Sequence, residues 1–144
     1  NEKNDLFYLC SLIEYTGRYT KNRRGNIVAK LGTDGIKRNF RDAEVNHCLS
    51  MQQVCDELIE MYQVETGDFD TITSCKYQIP AVTDIGRLYC QIILDCAKNG
   101  DELQELERVF SSFISDAISD FDTDLYYQNP SYLEASYREG MLLE

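Results

Sequence analysis

The sequence predicts an all-α domain of six or seven helices. Apolar residues recur at spacings of three and four along nearly every ordered stretch, and no stretch holds the period of two that a half-buried strand needs. Glycines, an Asn-Pro pair and Ser or Asp caps punctuate the chain where helices would start and stop. Connections are short, so neighbouring helices are expected to run antiparallel.

The elements follow in order. Leu6, Leu9, Cys10, Ile13 and Gly17 mark a first amphipathic helix over 5–17, with Asp5 near its start. After the polar run Tyr19 to Arg24, Ile27, Val28 and Leu31 form a short helix ending at Gly32. Thr33 is then the expected cap of another, through Ile36, Phe40 and Ala43 to about His47. Ser50 and Gln53 have capping-box spacing and open a helix carrying Val54, Leu58 and Met61. Residues 65–82 break the helical rhythm with Gly67, two Asp and Pro80. From Thr83 a helix carrying Ile85, Leu88, Tyr89, Ile92 and Ile93 is apolar over so much of its circumference that a central position is expected, with an end at Asn99 and Gly100. Asp101 is the expected cap of the longest helix, whose apolar face runs unbroken from Leu103 to Phe121. Asn129 and Pro130, cap then N1 proline, start a last helix that ends near Gly140. These elements make one bundle, or two small lobes: 1–64 with a basic pole, an irregular junction at 65–82, and an acidic lobe at 83–144.

The 144 residues carry 14 Lys and Arg against 25 Asp and Glu, a net charge of −11. The imbalance belongs entirely to 65–144, which holds sixteen acidic and five basic side chains, whereas 1–64 holds nine of each. Within the first half, 18–41 concentrates Arg18, Lys21, Arg23, Arg24, Lys30, Lys37, Arg38 and Arg41 against Asp34 alone. A hydrophobic fraction of 43% excludes intrinsic disorder, and no apolar stretch approaches the roughly 20 residues of a membrane span. No membrane association is expected. The chain opens at Asn1 without a charged and then apolar leader, and its six cysteines lack a CxxC, so a cytoplasmic protein with reduced thiols is the expectation. All the cysteines but Cys75 read as helix residues.

Chemistry-bearing motifs are scarce. His47, the one histidine, would need Cys10 or Cys55 brought to it by the fold to form a dyad, since its neighbour Cys48 points about 100° away on a helix. Asp120, Asp122 and Asp124 begin like an EF-hand loop, but the sixth position is Leu125 and the twelfth Ser131, where glycine and glutamate belong. Neither zinc-ligand spacing nor a phosphate-binding glycine loop occurs, so no cofactor or metal is expected and no catalytic residue is assigned. Arg24 to Arg38 imitates a helix-turn-helix, yet Val28 occupies a position where a small residue usually lets the helices close, and Gly35 weakens the second helix.

The order LCSLIEY (Leu9 to Tyr15), a polar basic interval, Gly35 with Ile36, and NHCLSMQQVCDELIEMY (Asn46 to Tyr62) resembles a small uncharacterised bacterial helical family. Genes of that family often adjoin genes for ADP-ribosyltransferase-like proteins. The resemblance covers the first 62 residues, lacks the aromatic residue at Asn46, and implies a toxin-neutralising or regulatory partner without implying any site residue.

The expected function is that of a non-enzymatic interaction protein of antitoxin, immunity or phage-defence type. Its partner-binding candidates are a basic pole (Arg18, Lys21, Arg23, Arg24, Lys37, Arg38, Arg41) and an acidic, tyrosine-rich face (Asp116, Asp120, Asp122, Tyr126, Tyr127). A homodimer in which these two patches meet is one expectation, and a separate basic partner another. The alternative is a nucleic-acid-binding regulator using 18–41, which the net charge opposes.

Overall fold

Asn1 starts the first helix by accepting a hydrogen bond from the Asn4 amide at 3.0 Å, with Glu2 and Asp5 placed at the positive end of the helix dipole. In the computed structural model, which describes residues 1–144, seven α-helices and one 3₁₀ turn make up the fold, with no strand. The all-α expectation is met. Helix α1 spans Glu2–Thr20, longer than 5–17, because the polar run stays helical until Lys21 takes a left-handed conformation at φ 57°. Helix α2 spans Arg24–Asn46 and is kinked at Gly32 (φ 66°, ψ 176°) where the sequence suggested two helices. Thr33 does not cap anything there; its hydroxyl donates to the Glu107 carboxylate.

Helix α3 (Met51–Tyr62) opens with both halves of the Ser50–Gln53 capping box formed. Helix α4 (Val82–Cys96) closes at Ala97, short of Asn99. The expected long helix from Asp101 to Phe121 is divided into α5 (Glu102–Ser111) and α6 (Phe113–Ser119). Ser112 makes the break: its hydroxyl donates to the Val109 carbonyl at 2.8 Å and accepts from the Ile114 amide at 3.3 Å. The sequence pattern hid this, since Leu106, Val109, Phe110, Ile114, Ile118 and Phe121 all enter the same core. Asp101 gives its carboxylate to Arg108 instead of capping α5. After the 3₁₀ turn Leu125–Tyr127, helix α7 (Pro130–Glu139) starts at Asn129 and ends on left-handed Gly140, as its signals predicted.

Buried residues from α1 through α7 form a single apolar cluster of 24, so the chain is one body and the two-lobe alternative is set aside. The central element is α1, buried nearly all round from Leu9 to Gly17, and its most extensive partner is α4. Residues 63–81 are a strap, not a junction. The strap takes hydrogen bonds along the α1–α2 turn (Gly67 amide to Thr20 carbonyl, Phe69 amide to Lys21 carbonyl, both 2.8 Å) and then crosses to Asp122, which accepts the Lys76 amide at 2.8 Å. Asp70 closes a tight turn within it; hydrogen bonds from Thr73 and the Ile72 amide hold its carboxyl down at about 2.

The α1–α4 crossing depends on Gly86. A Cβ there would fall 2.0 Å from Ser11 Oγ and 2.9 Å from Ser11 Cα, and the latter is backbone that cannot swing aside. Gly86→Ala is therefore expected to destabilise the protein by about 1–3 kcal/mol, the usual cost of overpacking, although alanine is the better helix former. The midpoint of urea unfolding measures it, and an unchanged or higher midpoint would contradict this packing.

Candidate functional site

Two arginines of the basic pole, Arg18 and Arg24, are turned into the fold. Arg24 is fully buried: its Nε and Nη2 donate to the two oxygens of Glu14 at 2.9 Å each, Nη1 to the Asn22 carbonyl at 3.0 Å, and Nη2 also to Thr71 Oγ1 of the strap at 3.2 Å. Burial alone would lower the Arg24 pKa, but the charge and hydrogen bonds of Glu14 outweigh it and raise the value. Gly17 makes room, since a Cβ there would meet Arg24 Cδ at 2.4 Å. Arg18 shares the same carboxylate through Nε at 2.7 Å and lays its guanidinium 4.9 Å from the centre of the Phe121 ring. Arg23 bonds Asp116 at 2.6 Å and covers Phe69 at 4.5 Å.

Arg18 and Arg24 are thus structural residues, a correction to their assignment as partner-binding groups. Sequence alone places a charged pair outside by default. Lys21 reaches Asp70 at 4.0 Å, and Arg38 and Arg41 flank Asp42 at 3.9 and 3.6 Å. Lys37, Arg38 and Arg41 stay exposed on the far part of α2, together with Lys30 and interleaved with Asp34 and Glu44.

The acidic, tyrosine-rich face divides in the same way. Asp116 belongs to Arg23 of its own chain, so the contact expected between two copies is made within one. The rest of the face surrounds a groove of about 450 Å³, lined by Phe121 to Asp124, Tyr126 and Tyr127 on one side and by Tyr77 and Gln78 of the strap on the other. Its rings are nested edge to face: Phe121 to Tyr126 at 5.7 Å and 88°, Tyr126 to Tyr127 at 4.8 Å and 81°. Tyr127 is 68% exposed and Tyr77 66%. Asp120 uses one oxygen on the Asp122 amide, and Asp122 uses one on the Lys76 amide. Tyr77 and Asp124 were missed as site residues because the strap brings Tyr77 to the groove that Asp124 also lines, and no local pattern signals that placement.

Other candidates resolve differently. His47 is exposed and stacks on Tyr8 (6.2 Å, 23°), while Cys10 and Cys55 are fully buried and make no hydrogen bond to it, so the dyad does not form. All six cysteines are free; Cys48 lies in the turn after α2 and not in a helix. A separate carboxyl cluster joins α4, α5 and α7, which the sequence reading did not anticipate. Glu105 accepts from Arg108 at 3.0 Å and from the Tyr137 phenol, whose pKa is pushed well up by burial and then by that bond. Glu134, on the inner side of α7, is 7% exposed with Oε1 unpartnered. Burial, then repulsion by Asp95, push its carboxyl up to about 7, against an opposing pull from Arg138.

No family model matches the chain, and neither a curated protein nor a solved structure matches it significantly. No helix is long and apolar enough to cross a membrane.

Two expected outcomes follow from these groups. Removing Glu14 leaves Arg24 buried without its partner and takes the carboxylate from Arg18, whereas removing Arg24 leaves Glu14 with Arg18, so Glu14→Gln should cost about 3–5 kcal/mol in denaturant unfolding, Arg24→Met less, and the double variant less than their sum. For Glu134, the native state holds a proton that the unfolded chain releases near 4.5. Its contribution is complete below about 4.5 and lost as pH rises through about 7. The melting temperature should fall by roughly 5–10 °C between pH 5 and pH 8, and Glu134→Gln should remove most of that fall.

Proposed function

We propose that this protein is an interaction module whose docking face is the acidic tyrosine groove between the strap and the α6–α7 connection, and whose occupant is a basic segment of another protein. The observation that carries this reading is the groove, where an unpaired carboxylate and exposed tyrosines line one concave surface. On the basic side, Arg18, Arg23 and Arg24 are engaged with Glu14 and Asp116 inside the chain. On the acidic side, Asp124 makes no ion pair or side-chain hydrogen bond, and two tyrosines stand two-thirds exposed beside it.

Tyrosine next to carboxylate suits an interface: the ring supplies area at small entropic cost, and the charge steers a partner of opposite sign. A symmetric dimer that used Arg23 and Asp116 would have to break their bond within the chain to remake it between copies, which favours a different protein as the occupant. The narrower role of antitoxin, immunity or phage-defence accessory rests on the resemblance of residues 9–62 alone. The basic residues Lys30, Lys37, Arg38 and Arg41 share this part of α2 with Asp34, Asp42 and Glu44, which nearly cancels their charge and disfavours phosphate backbones.

Binding of an arginine-rich peptide, followed by fluorescence anisotropy at low salt, tests the reading. Asp122→Lys with Asp124→Lys should weaken binding roughly tenfold or more, and raising ionic strength should weaken it too. Binding indifferent to that double reversal, or a stronger retention of duplex DNA than of the peptide, would overturn it.

A further inference from the structure

The chain uses one arrangement repeatedly for its own cations: an arginine laid over an aromatic ring with a carboxylate at its edge. Arg23 lies 4.5 Å over Phe69 and 2.6 Å from Asp116; Arg87 lies 5.1 Å over Phe7 and 3.4 Å from Asp84; Arg18 lies 4.9 Å over Phe121 and 2.7 Å from Glu14. Each of these cation–ring contacts is made by arginine and none by lysine. Apart from Phe121, whose ring Arg18 covers, the groove holds the same parts without the cation. Tyr126 and Tyr127 meet nearly at right angles, so their faces form a corner, with Tyr77 across from it. Asp122 has one oxygen beyond the one that accepts the Lys76 amide, and the Asp124 carboxylate has no partner.

From this we infer that the groove is a receptor for an arginine side chain, supplied by the basic partner segment proposed above and resting on that reading. A guanidinium is planar and weakly hydrated, so it stacks flat on a ring while its edge donates N–H bonds to a carboxylate in its own plane. An ammonium is a compact, strongly hydrated charge that meets the aspartates equally well but gains less from the rings. The groove, at about 450 Å³, has room for such a side chain and its adjoining backbone. The aspartates therefore set attraction, and the tyrosines set the choice of arginine over lysine.

Two peptides of identical Gly-Ser sequence, one carrying three arginines and the other three lysines, separate these contributions when titrated into the full chain and followed by amide and tyrosine NMR shifts. The arginine peptide should bind about fivefold or more tightly, with shifts centred on Tyr77 and 121–127. Tyr127→Ala and Tyr77→Ala change exposed rings and should leave the circular dichroism spectrum intact. They should bring arginine binding down to the lysine level while barely altering lysine binding. Asp124→Asn should weaken both peptides. Equal affinity for the two peptides, with both lost in Asp124→Asn, would overturn the arginine inference and leave the basic-partner reading standing. Binding of neither peptide would overturn both, as would arginine binding whose shifts lie outside the groove.

Discussion

The Glu14–Arg24 ion pair is the constraint on which the rest of the fold turns. One carboxylate on the central helix receives Arg24 from the start of α2 and Arg18 from its own helix. Through the other atoms of Arg24 the turn carbonyl of Asn22 and the strap hydroxyl of Thr71 are tied to the same point, and Arg18 extends the link to Phe121 beyond α6. The α1–α2 corner and the strap meet at one buried charge, with Phe121 packed against its second guanidinium. A pair this deep contributes little net stability over an apolar replacement, because desolvation offsets most of its attraction. Its effect is on specificity: a carboxylate in the core tolerates only the arrangement that delivers both guanidiniums.

That constraint also explains the unequal surface. The segment 18–41 carries nearly all the positive charge of the first half, yet its three inner arginines are drawn toward Glu14, Asp116 and the rings of Phe69 and Phe121. Neutralisation occurs where the α1–α2 turn meets the strap and α6. A few residues further, the strap and the 3₁₀ turn continue with tyrosines and aspartates but no arginine. The groove is in this sense the unneutralised end of a cluster whose other end is complete.

Helix α7 is held by another kind of contact. Its inner face places Glu134 toward Asp95 of α4, and Tyr137 toward Glu105 of α5, so carboxyl groups lie on both sides of the interface. Retaining a proton on Glu134 relieves the repulsion, which makes the attachment of this helix sensitive to acidity in a range where ordinary carboxylates are already ionised.

By itself the sequence determined the helical class and several helix ends, because periodicity and caps are local. The Ser50–Gln53 box, the Asn129–Pro130 start and Gly140 all act within one turn of helix. It also showed the tyrosine-rich acidic end, since Asp122, Tyr126 and Tyr127 are neighbours along the chain. Tertiary structure alone decided the rest. Whether Arg24 faces solvent or Glu14, and whether Tyr77 lines one groove with Asp124, depend on how separate elements pack together. Such contacts form only when the core closes, and the charge of a side chain does not say which carboxylate it will find.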